Sequence, residues 1–494
     1  MRRLTAALTL TTTLTLIAGC STPAEPGRPA LPLESSDVIS DAGDNGIATS
    51  ARLFESSEVV VLAADTPEDL ARGVHLAISA GAPLLAAGDQ AAVDAEIARL
   101  GAQRVITVGE VGPLAGSPEI TPAGPAATPA SISAGVAASL DQDTAEGMEG
   151  LAHTAPARTM PPMLATDETS LAAIATARAA GAEVHVLSHP DPRITAETMA
   201  LVSDQDVLAL GEQFGSRERL HTAIDMASHG ELPGGGGLVF PGRRMIAFYG
   251  HPSGDALGVM GEQPPAEAVE RVKAHIENYQ VLEEQPVVPA FEIIVTVASE
   301  FPGDDGKFTN VGNPEDFRGY IDAITEAGGY AFLDLQPGQA TFLEQAKVYE
   351  DLLKLPNVGL ALDPEWNLQP GEQPLQRVGH AEAAEINEVA DWLAQLVRDN
   401  DLPQKGLIVH QFQVQMLRDR DQIITDRPEL AFILHADGHG TPGQKMDTWH
   451  AMREGLTGEW FMAWKNFIDE DTPTFTPEET YNNVDPRPWF VSYQ

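Results

Sequence analysis

Several apolar segments in the second half of the chain run directly into carboxylate, amide or imidazole side chains. The segment Val358–Leu362 is followed by Asp363 and Glu365. Side chains of a strand alternate between two faces, so both carboxylates share a face with the small residues Gly359 and Ala361. Burying ionisable groups is costly unless they serve a site. Two carboxylates this close repel one another, which raises one pKa and makes Glu365 a candidate proton donor to a leaving oxygen.

The neighbouring strand candidate, Tyr330–Leu335, supplies a further carboxylate. Asp334 shares a face with Gln336 and is a candidate second acid, while Gln336 and Gln411 are candidates for hydrogen bonds to sugar hydroxyls. An alternative of equal weight is a polar layer whose members satisfy one another. The predicted catalytic residues are Glu365, Asp363 and Asp334, and the predicted substrate contacts are Gln336, Trp366, His410, Gln411, Asp437 and Tyr493.

A histidine-containing stretch ends another apolar segment, Leu430–Ala436. His435, Asp437 and His439 alternate and so lie on one side of this strand candidate. Two imidazoles and a carboxylate can hold a catalytic Zn²⁺ with an open position, which would support metal-assisted hydrolysis or deacetylation. Lone histidines are more often packed or hydrogen-bonded than ligating. We therefore predict no metal and no other cofactor, and a metal-dependent hydrolase stays an alternative.

The Asp-x-Glu arrangement at Asp363 and Glu365 is similar to that on the fourth strand of chitinase-like and lysozyme-like barrel glycosidases. The resemblance implies that Glu365 is the acid, and that Asp363 orients it or an acetamido group of the substrate. Trp366 would then offer a face on which a sugar ring stacks. The fuller aspartate-rich chitinase signature is missing, and in the alternative interpretation the two carboxylates cap a helix or pair with an arginine.

These residues need a scaffold that brings the ends of separate strands together. Eight strand candidates with helical patterns between most of them predict a (β/α)₈ TIM-like barrel over residues 240–494. In such a barrel, the site forms where the strands end. The strand candidates are Met245–Tyr249, Glu292–Ala298, Tyr330–Leu335, Val358–Leu362, Gly406–Phe412, Leu430–Ala436, Trp460–Trp464 and Trp489–Tyr493.

The same region resembles uncharacterised exported proteins of high-GC Gram-positive bacteria. The stretches that carry this resemblance are Leu333–Gly338, Leu360–Trp366 and Val409–Phe412. The resemblance covers nearly the whole predicted barrel. It implies export but no established reaction.

Residues 51–232 alternate short apolar segments with Ala-rich helical patterns, which predicts an α/β domain with parallel strands and an internal duplication. Three stretches in the first half resemble the cell-wall-binding repeat type 2 family, namely Pro67–Ala71, Ala80–Leu85 and Leu100–Gly109. The resemblance implies a domain that holds surface proteins to Gram-positive wall polymers. The arginine-aspartate-arginine-tyrosine signature common in that family is absent here.

The N-terminus predicts the compartment. Arg2 and Arg3 precede an apolar stretch, Leu4–Leu16, that ends at Ile17-Ala18-Gly19-Cys20. This layout predicts a signal peptide over residues 1–19. The last four residues of the stretch, Ile17 to Cys20, resemble the bacterial lipobox, which implies that Cys20 is lipidated by acyl chains such as palmitate. A flexible tether would follow over residues 20–50. An ordinary signal peptide with an incidental cysteine is the alternative, although Cys20 is the only cysteine in the chain.

Composition limits the range of partners. Asp and Glu number 72 against 30 Lys and Arg, for a net charge of −42, which repels nucleic acid and anionic lipid headgroups. Membrane contact is therefore expected through the lipid anchor only. The phosphate-binding motif GxxxxGK followed by Ser or Thr is missing from the sequence, as are HExxH and GxSxG.

Together these features predict a lipid-anchored lipoprotein on the extracellular face of the cell membrane, with a cell-wall polysaccharide or other envelope glycan as partner. The barrel would cleave the glycan as a glycoside hydrolase with a carboxylate acid and base. The alternative from a different class is a non-catalytic cell-wall-binding lipoprotein.

Overall fold

The computed structural model describes residues 35–41, 43, 45–116, 118–123, 129–140 and 160–494. The predicted signal peptide and Cys20 lie outside the described residues, so the lipobox stays a prediction. Among the helices of the described ranges, none is both long enough and apolar enough to cross a bilayer.

The N-terminal part is an α/β domain built on two four-stranded parallel sheets. Its strands are β1 Asp37–Ile39, β2 Val59–Ala63, β3 Leu84–Ala86, β4 Arg104–Val108, β5 Glu119–Pro122, β6 Met163–Thr166, β7 Val184–Leu187 and β8 Leu208–Leu210. Its α-helices are α1 Ile47–Leu53, α2 Pro67–Ala80, α3 Gln90–Leu100, α4 Ala134–Ser139, α5 Leu171–Ala179, α6 Ala196–Asp204 and α7 Arg217–Met226. The strand orders are β3-β2-β4-β5 and β1-β8-β6-β7, and one apolar core joins the two sheets.

The predicted tether over residues 20–50 is wrong at its C-terminal end. Strand β1 pairs in parallel with β8, which completes the second sheet. Helix α1 then leads into the buried side chains of Leu53 and Phe54. The polar composition of this stretch is typical of a linker, but here Ser36 and Ser50 are buried and hydrogen-bonded to Asp206 and Glu96.

The C-terminal part is a closed barrel of eight parallel strands. The strands of this part are β9 Arg244–Gly250, β10 Val287–Ala298, β11 Thr309–Val311, β12 Tyr330–Leu335, β13 Val358–Leu362, β14 Ala381–Glu382, β15 Lys405–Gln411, β16 Leu417–Arg418, β17 Leu430–Ala436, β18 Phe461–Asn466 and β19 Phe490–Tyr493. Its α-helices are α8 Pro265–Gln280, α9 Pro314–Glu326, α10 Phe342–Val348, α11 Glu350–Leu353, α12 Ala383–Asp399, α13 Pro442–Arg453 and α14 Pro477–Asn483. The barrel order is β9-β10-β12-β13-β15-β17-β18-β19 and back to β9, which confirms the TIM-like fold.

Short strands lie in the loops of the barrel. Strand β11 is antiparallel to β10, and β14 pairs with β16 to form a two-stranded ribbon. Both additions lie after the carboxyl ends of barrel strands, on the side where a barrel of this class carries its site.

The lower interior of the barrel is apolar and tightly filled. The ring of Phe332 occupies the space beside Gly359 and Gly406, where an added Cβ would lie 2.8 Å and 2.5 Å from its ring atoms. The predicted inward direction of Gly359 and Ala361 is confirmed, because Ala361 packs in the same interior cluster as Phe332. Polar side chains begin one layer above, so this apolar layer forms the base on which the site rests.

The N-terminal domain covers the opposite end of the barrel. Arg193, which is buried and paired with Asp191, donates to the carbonyl of Pro428 at 2.8 Å, just before β17 begins. His229 Nδ1 lies 3.2 Å from the carbonyl oxygen of Leu402, shortly before β15 begins. These contacts lie at the amino ends of the barrel strands, so the mouth at their carboxyl ends stays open.

Candidate active site

A cavity of about 630 Å³ opens at the carboxyl ends of the barrel strands. Five of the predicted site residues line it, and they come from strands β12, β13 and β17 or the turns that follow them. The five are Gln336, Asp363, Glu365, Trp366 and Asp437. The cavity wall also contains apolar side chains such as Phe412 and Phe467. Convergent polar groups in a partly apolar cavity are typical of a small-molecule or sugar site.

A chain of charged groups lies along the floor of this cavity. His410 Nδ1 is 2.7 Å from Asp437 Oδ2, and its Nε2 is 2.8 Å from Glu292 Oε1. Lys465 Nζ lies 3.3 Å from Asp437 Oδ1. His410 and Glu292 are fully buried, whereas Asp437 and Lys465 line the cavity.

Opposite charges keep these four groups ionised. Burial opposes a charge on His410, but the carboxylates of Glu292 and Asp437 raise its pKa well above the usual value. Burial likewise opposes ionisation of both carboxylates, yet His410 holds the pKa of Glu292 low, and Lys465 with His410 holds that of Asp437 low. The pKa of Lys465 is raised, since Asp437 and Glu292 outweigh its burial. Two positive and two negative charges therefore balance.

Glu365 differs from Asp437 in protonation, although both line the same cavity. Burial, and then the negative charge of Asp437, raises the pKa of Glu365 to about 7. Burial also raises the pKa of Asp363 well above its usual value. A neutral carboxylic acid and an ionised carboxylate on one wall are the pairing that acid-assisted bond cleavage requires.

Asp363 also has a structural role. Its Oδ1 accepts the backbone N–H of Glu365 at 3.1 Å and so caps the short helical turn Pro364–Trp366. This hydrogen bond fixes the backbone from which Glu365 and Trp366 project. Asp363 therefore caps a helical turn, as the alternative interpretation of the sequence proposed, and it also lines the cavity.

Asp334 is fully buried and lies behind the cavity rather than in its wall. Tyr249 donates its hydroxyl to Asp334 Oδ2 at 2.9 Å, and the ammonium of Lys465 lies 3.7 Å from the centre of the Tyr249 ring. Burial raises the pKa of Asp334 to about 6. The prediction of Asp334 as a second acid in contact with substrate is therefore corrected: Tyr249 stands between this carboxyl and the cavity as its hydrogen-bond partner.

Two residues predicted to contact substrate, Gln411 and Tyr493, have side chains that point away from the barrel interior. Gln411 donates to the carbonyls of Gln413 and Val414 at 3.2 Å and accepts from Arg420, so it holds the loop after β15. Tyr493 is hydrogen-bonded to Tyr279 of helix α8. Both side chains point towards the surrounding helices and loops because they sit at the outward parity of β15 and β19. His410, by contrast, has the inward parity but lies beneath the cavity.

The three residues predicted from the histidine-containing stretch, His435, Asp437 and His439, lie in different surroundings. His435 is buried in the barrel interior, Asp437 is held by His410 and Lys465, and His439 lies at the cavity wall against the ring of Phe467. These side chains do not form the predicted zinc trio. Within the described part of the chain, the group with suitable spacing for a cation is Glu292, His410 and His435.

Three residues of the site were not predicted from the sequence: Tyr249, Glu292 and Lys465. Each lies at an inward position of its strand, two residues beyond a small residue of the barrel interior: Ala247, Ala290 and Ala463. The strand alternation that located Asp363 and Glu365 would have found them if it had been applied to β9, β10 and β18.

Comparison with known proteins adds no family to this description. No protein-family model matches the chain, and no curated protein matches it in sequence.

Proposed function

We propose that the barrel is a glycoside hydrolase whose substrate is an envelope glycan. The observation that carries this proposal is a pair of carboxyl groups in one cavity wall. The pKa of Glu365 is raised to about 7, whereas Asp437 is ionised. Cleavage of a glycosidic bond needs one group that gives a proton to the leaving oxygen and one that stabilises positive charge on the sugar ring.

In this proposal, Glu365 protonates the glycosidic oxygen. Asp437, held in place by Lys465 and His410, faces the developing oxocarbenium-like charge or activates the attacking water. Asp363 fixes the position of Glu365 through the backbone of residue 365. The indole of Trp366, which is half-buried in the cavity wall, provides an apolar surface against which a sugar ring can pack.

The predicted anchor and N-terminal domain support an envelope location. Cys20 in a lipobox-like sequence would tether the chain outside the membrane, and the α/β domain resembles a cell-wall-binding repeat in three stretches of its sequence. The described N-terminal domain packs on the closed end of the barrel, so a wall-bound domain would leave the cavity open to glycan.

The test uses the full chain and purified wall glycans. Wild-type protein should generate new reducing ends, while Glu365→Gln should lose turnover by about two to four orders of magnitude and still bind glycan, because general-acid catalysis contributes about that much. Glu326→Gln, at an exposed position near the end of α9, is the matched control and should keep full activity.

Three outcomes would count against the hydrolase. Equal turnover in the Glu365→Gln variant would exclude Glu365 as the acid. Glycan binding without new reducing ends in the wild type would favour the non-catalytic envelope-binding protein. The absence of both binding and cleavage would remove the glycan as substrate.

A further inference from the structure

Beneath the cavity floor, two imidazoles and a carboxylate converge at a point that the proposed hydrolysis does not use. One ligand atom each from Glu292, His410 and His435 lies within 4.8 Å of the other two. All three side chains are fully buried, and they come from three strands, β10, β15 and β17.

Several polar atoms in this cluster have no hydrogen-bond partner among the described residues. They are Glu292 Oε2, His435 Nδ1 and Asp334 Oδ1, and each belongs to a side chain with no exposed surface. His435 Nδ1 is 3.7 Å from Glu292 Oε1, and Asp334 Oδ1 is 3.9 Å from His410 Nε2, both too long for hydrogen bonds. Buried polar atoms without partners are costly and rare, so three on these neighbouring side chains indicate a missing ligand.

The outer nitrogens of both histidines are already occupied. His410 Nδ1 is 2.7 Å from the carboxylate of Asp437, and His435 Nε2 is 3.1 Å from the hydroxyl of Ser492. These contacts hold both rings so that His410 Nε2 and His435 Nδ1 face Glu292. Metal-binding histidines are commonly held in this way, with the outer N–H donated to a carboxylate or another oxygen.

We propose that Glu292, His410 and His435 bind one divalent transition-metal ion, with Asp334 as the fourth ligand. Two imidazole nitrogens and two carboxylate oxygens suit Zn²⁺, which is bound by these atoms in four-coordinate sites. With a metal ion in place of the proton on His410 Nε2, the buried carboxylates of Glu292, Asp334 and Asp437 and the ammonium of Lys465 would leave two negative charges, which a divalent cation balances.

Four protein ligands would leave no open position, which is typical of structural rather than catalytic zinc. The ion would connect strands β10, β12, β15 and β17 at one level of the barrel. Through His410 Nδ1 it would also fix the position of Asp437 in the cavity wall. We therefore infer that the metal stabilises the barrel and the floor of the site. The competing occupant is a proton, which the 2.8 Å contact between His410 and Glu292 would share without any ion.

Metal content distinguishes a bound metal ion from a proton shared between His410 and Glu292. The full chain, purified without chelators, should contain about one equivalent of divalent transition metal by mass spectrometry, as four ligands for one ion require. After removal of the metal with EDTA, added Zn²⁺ should bind in a calorimetric titration and raise the melting temperature. The variant Glu292→Gln should lose the equivalent, and His439→Ala, a histidine of the cavity wall outside the cluster, should keep it.

A positioning variant tests the geometry separately. Ser492→Ala removes the partner of His435 Nε2 and should weaken Zn²⁺ binding by about tenfold or more, the usual effect of losing such a contact. Wild-type protein that neither contains metal nor binds added Zn²⁺ would overturn the proposal, as would a full equivalent retained by Glu292→Gln combined with His435→Ala. These measurements need no glycan, so failure here leaves the role of Glu365 intact, and loss of hydrolysis leaves the metal site intact.

Discussion

Glu365 and Asp437 face the same cavity with opposite protonation, and their different surroundings explain why. Asp437 has an ammonium and an imidazolium within hydrogen-bonding or ion-pair distance, whereas Glu365 receives most of its pKa shift from burial. The two carboxyl groups can therefore take different roles at one pH. Removing the charge of Asp437 should lower the pKa of Glu365, because that charge helps to raise it.

The first prediction concerns pH. Glu365 must carry its proton to act as the acid, and its raised pKa of about 7 sets the upper limit of the active range. We expect kcat/KM for glycan cleavage to fall about tenfold per unit as pH rises above this value, because the deprotonated form cannot donate. A profile of kcat/KM against pH checks this. A rate that stays level to pH 9 would contradict the assignment.

The second prediction concerns the buried ion pair between Lys465 and Asp437. Lys465→Met should lower the free energy of unfolding by about 3–5 kcal/mol, because it removes one of the two cations that neutralise the buried carboxylate of Asp437. Denaturant unfolding measures this. Lys347→Met, at an exposed position of α10, should change the free energy by less than about 0.5 kcal/mol. Equal effects of the two substitutions would show that the pair does not stabilise the barrel.

Two of the errors at residue scale, those on Gln411 and Tyr493, share a cause. Gln411 and Tyr493 follow apolar segments, as Glu365 does, but they occupy the outward parity of their strands. The sequence shows this parity, since Gly406, Ile408 and His410 occupy one face of β15 and Gln411 lies on the other. The burial of Asp334 behind Tyr249 is different, because it depends on which of two inward side chains lies above the other, and strand alternation does not determine that.

At the scale of elements, long strands and helices followed from the sequence and short ones did not. Strands β12, β13 and β17 have the predicted limits, because each is a mainly apolar segment bounded by polar residues or glycine. Between β12 and β13, where the strand-then-helix pattern predicts a helix, the structure has two helices, α10 and α11. Strands β11, β14 and β16 have two or three residues each and depend on contacts between distant loops, so no local pattern marks them.

The third prediction tests the packing that supports the site. A Cβ on Gly359 would lie 2.6 Å from the carbonyl oxygen of Gly406 and 2.8 Å from the ring of Phe332. Gly359→Ala should therefore lower the free energy of unfolding by about 1–3 kcal/mol or more, as overpacking does. Glycan cleavage should fall with it if the layer positions Asp363 and Glu365 from below.

The matched control is another glycine in the same barrel. Gly319 lies at an exposed position within helix α9, with ordinary contact space around an added Cβ. Gly319→Ala should raise stability by about 0.5–1 kcal/mol, because alanine favours the helix. Similar changes in denaturant midpoint for both variants would contradict the tight packing around Phe332.

At the scale of the whole molecule, the sequence predicts two domains but not how they meet. The buried Arg193 and the ring of His229 contact the carbonyls of Pro428 and Leu402 and so join the domains at the amino ends of the barrel strands. Such contacts between residues more than 150 positions apart have no local signature in the sequence. The start of the N-terminal domain was similarly hidden, because β1 is formed by pairing with the distant strand β8.

The fourth prediction uses two fragments with different N-terminal limits. A fragment of residues 35–494 keeps β1 and α1, whereas one of residues 51–494 loses β1, most of α1 and the 2.5 Å hydrogen bond from Ser50 to Glu96. We expect the shorter fragment to be cut sooner in its N-terminal domain and to melt at a lower temperature. Limited proteolysis with mass spectrometry measures this. Equal resistance of both fragments would show that residues 35–50 do not stabilise the N-terminal domain and belong to the tether.

The central claim is that a sugar chain crosses the cavity with its scissile bond beside Glu365. A crystal structure of the Glu365→Gln variant with an oligosaccharide from the wall glycan tests it most directly. The account predicts a glycosidic oxygen within about 2.6–3.2 Å of the side chain at position 365, with a sugar ring between Trp366 and Asp437. An oligosaccharide bound only on the N-terminal domain, or in the cavity with its glycosidic oxygens far from position 365, would contradict it.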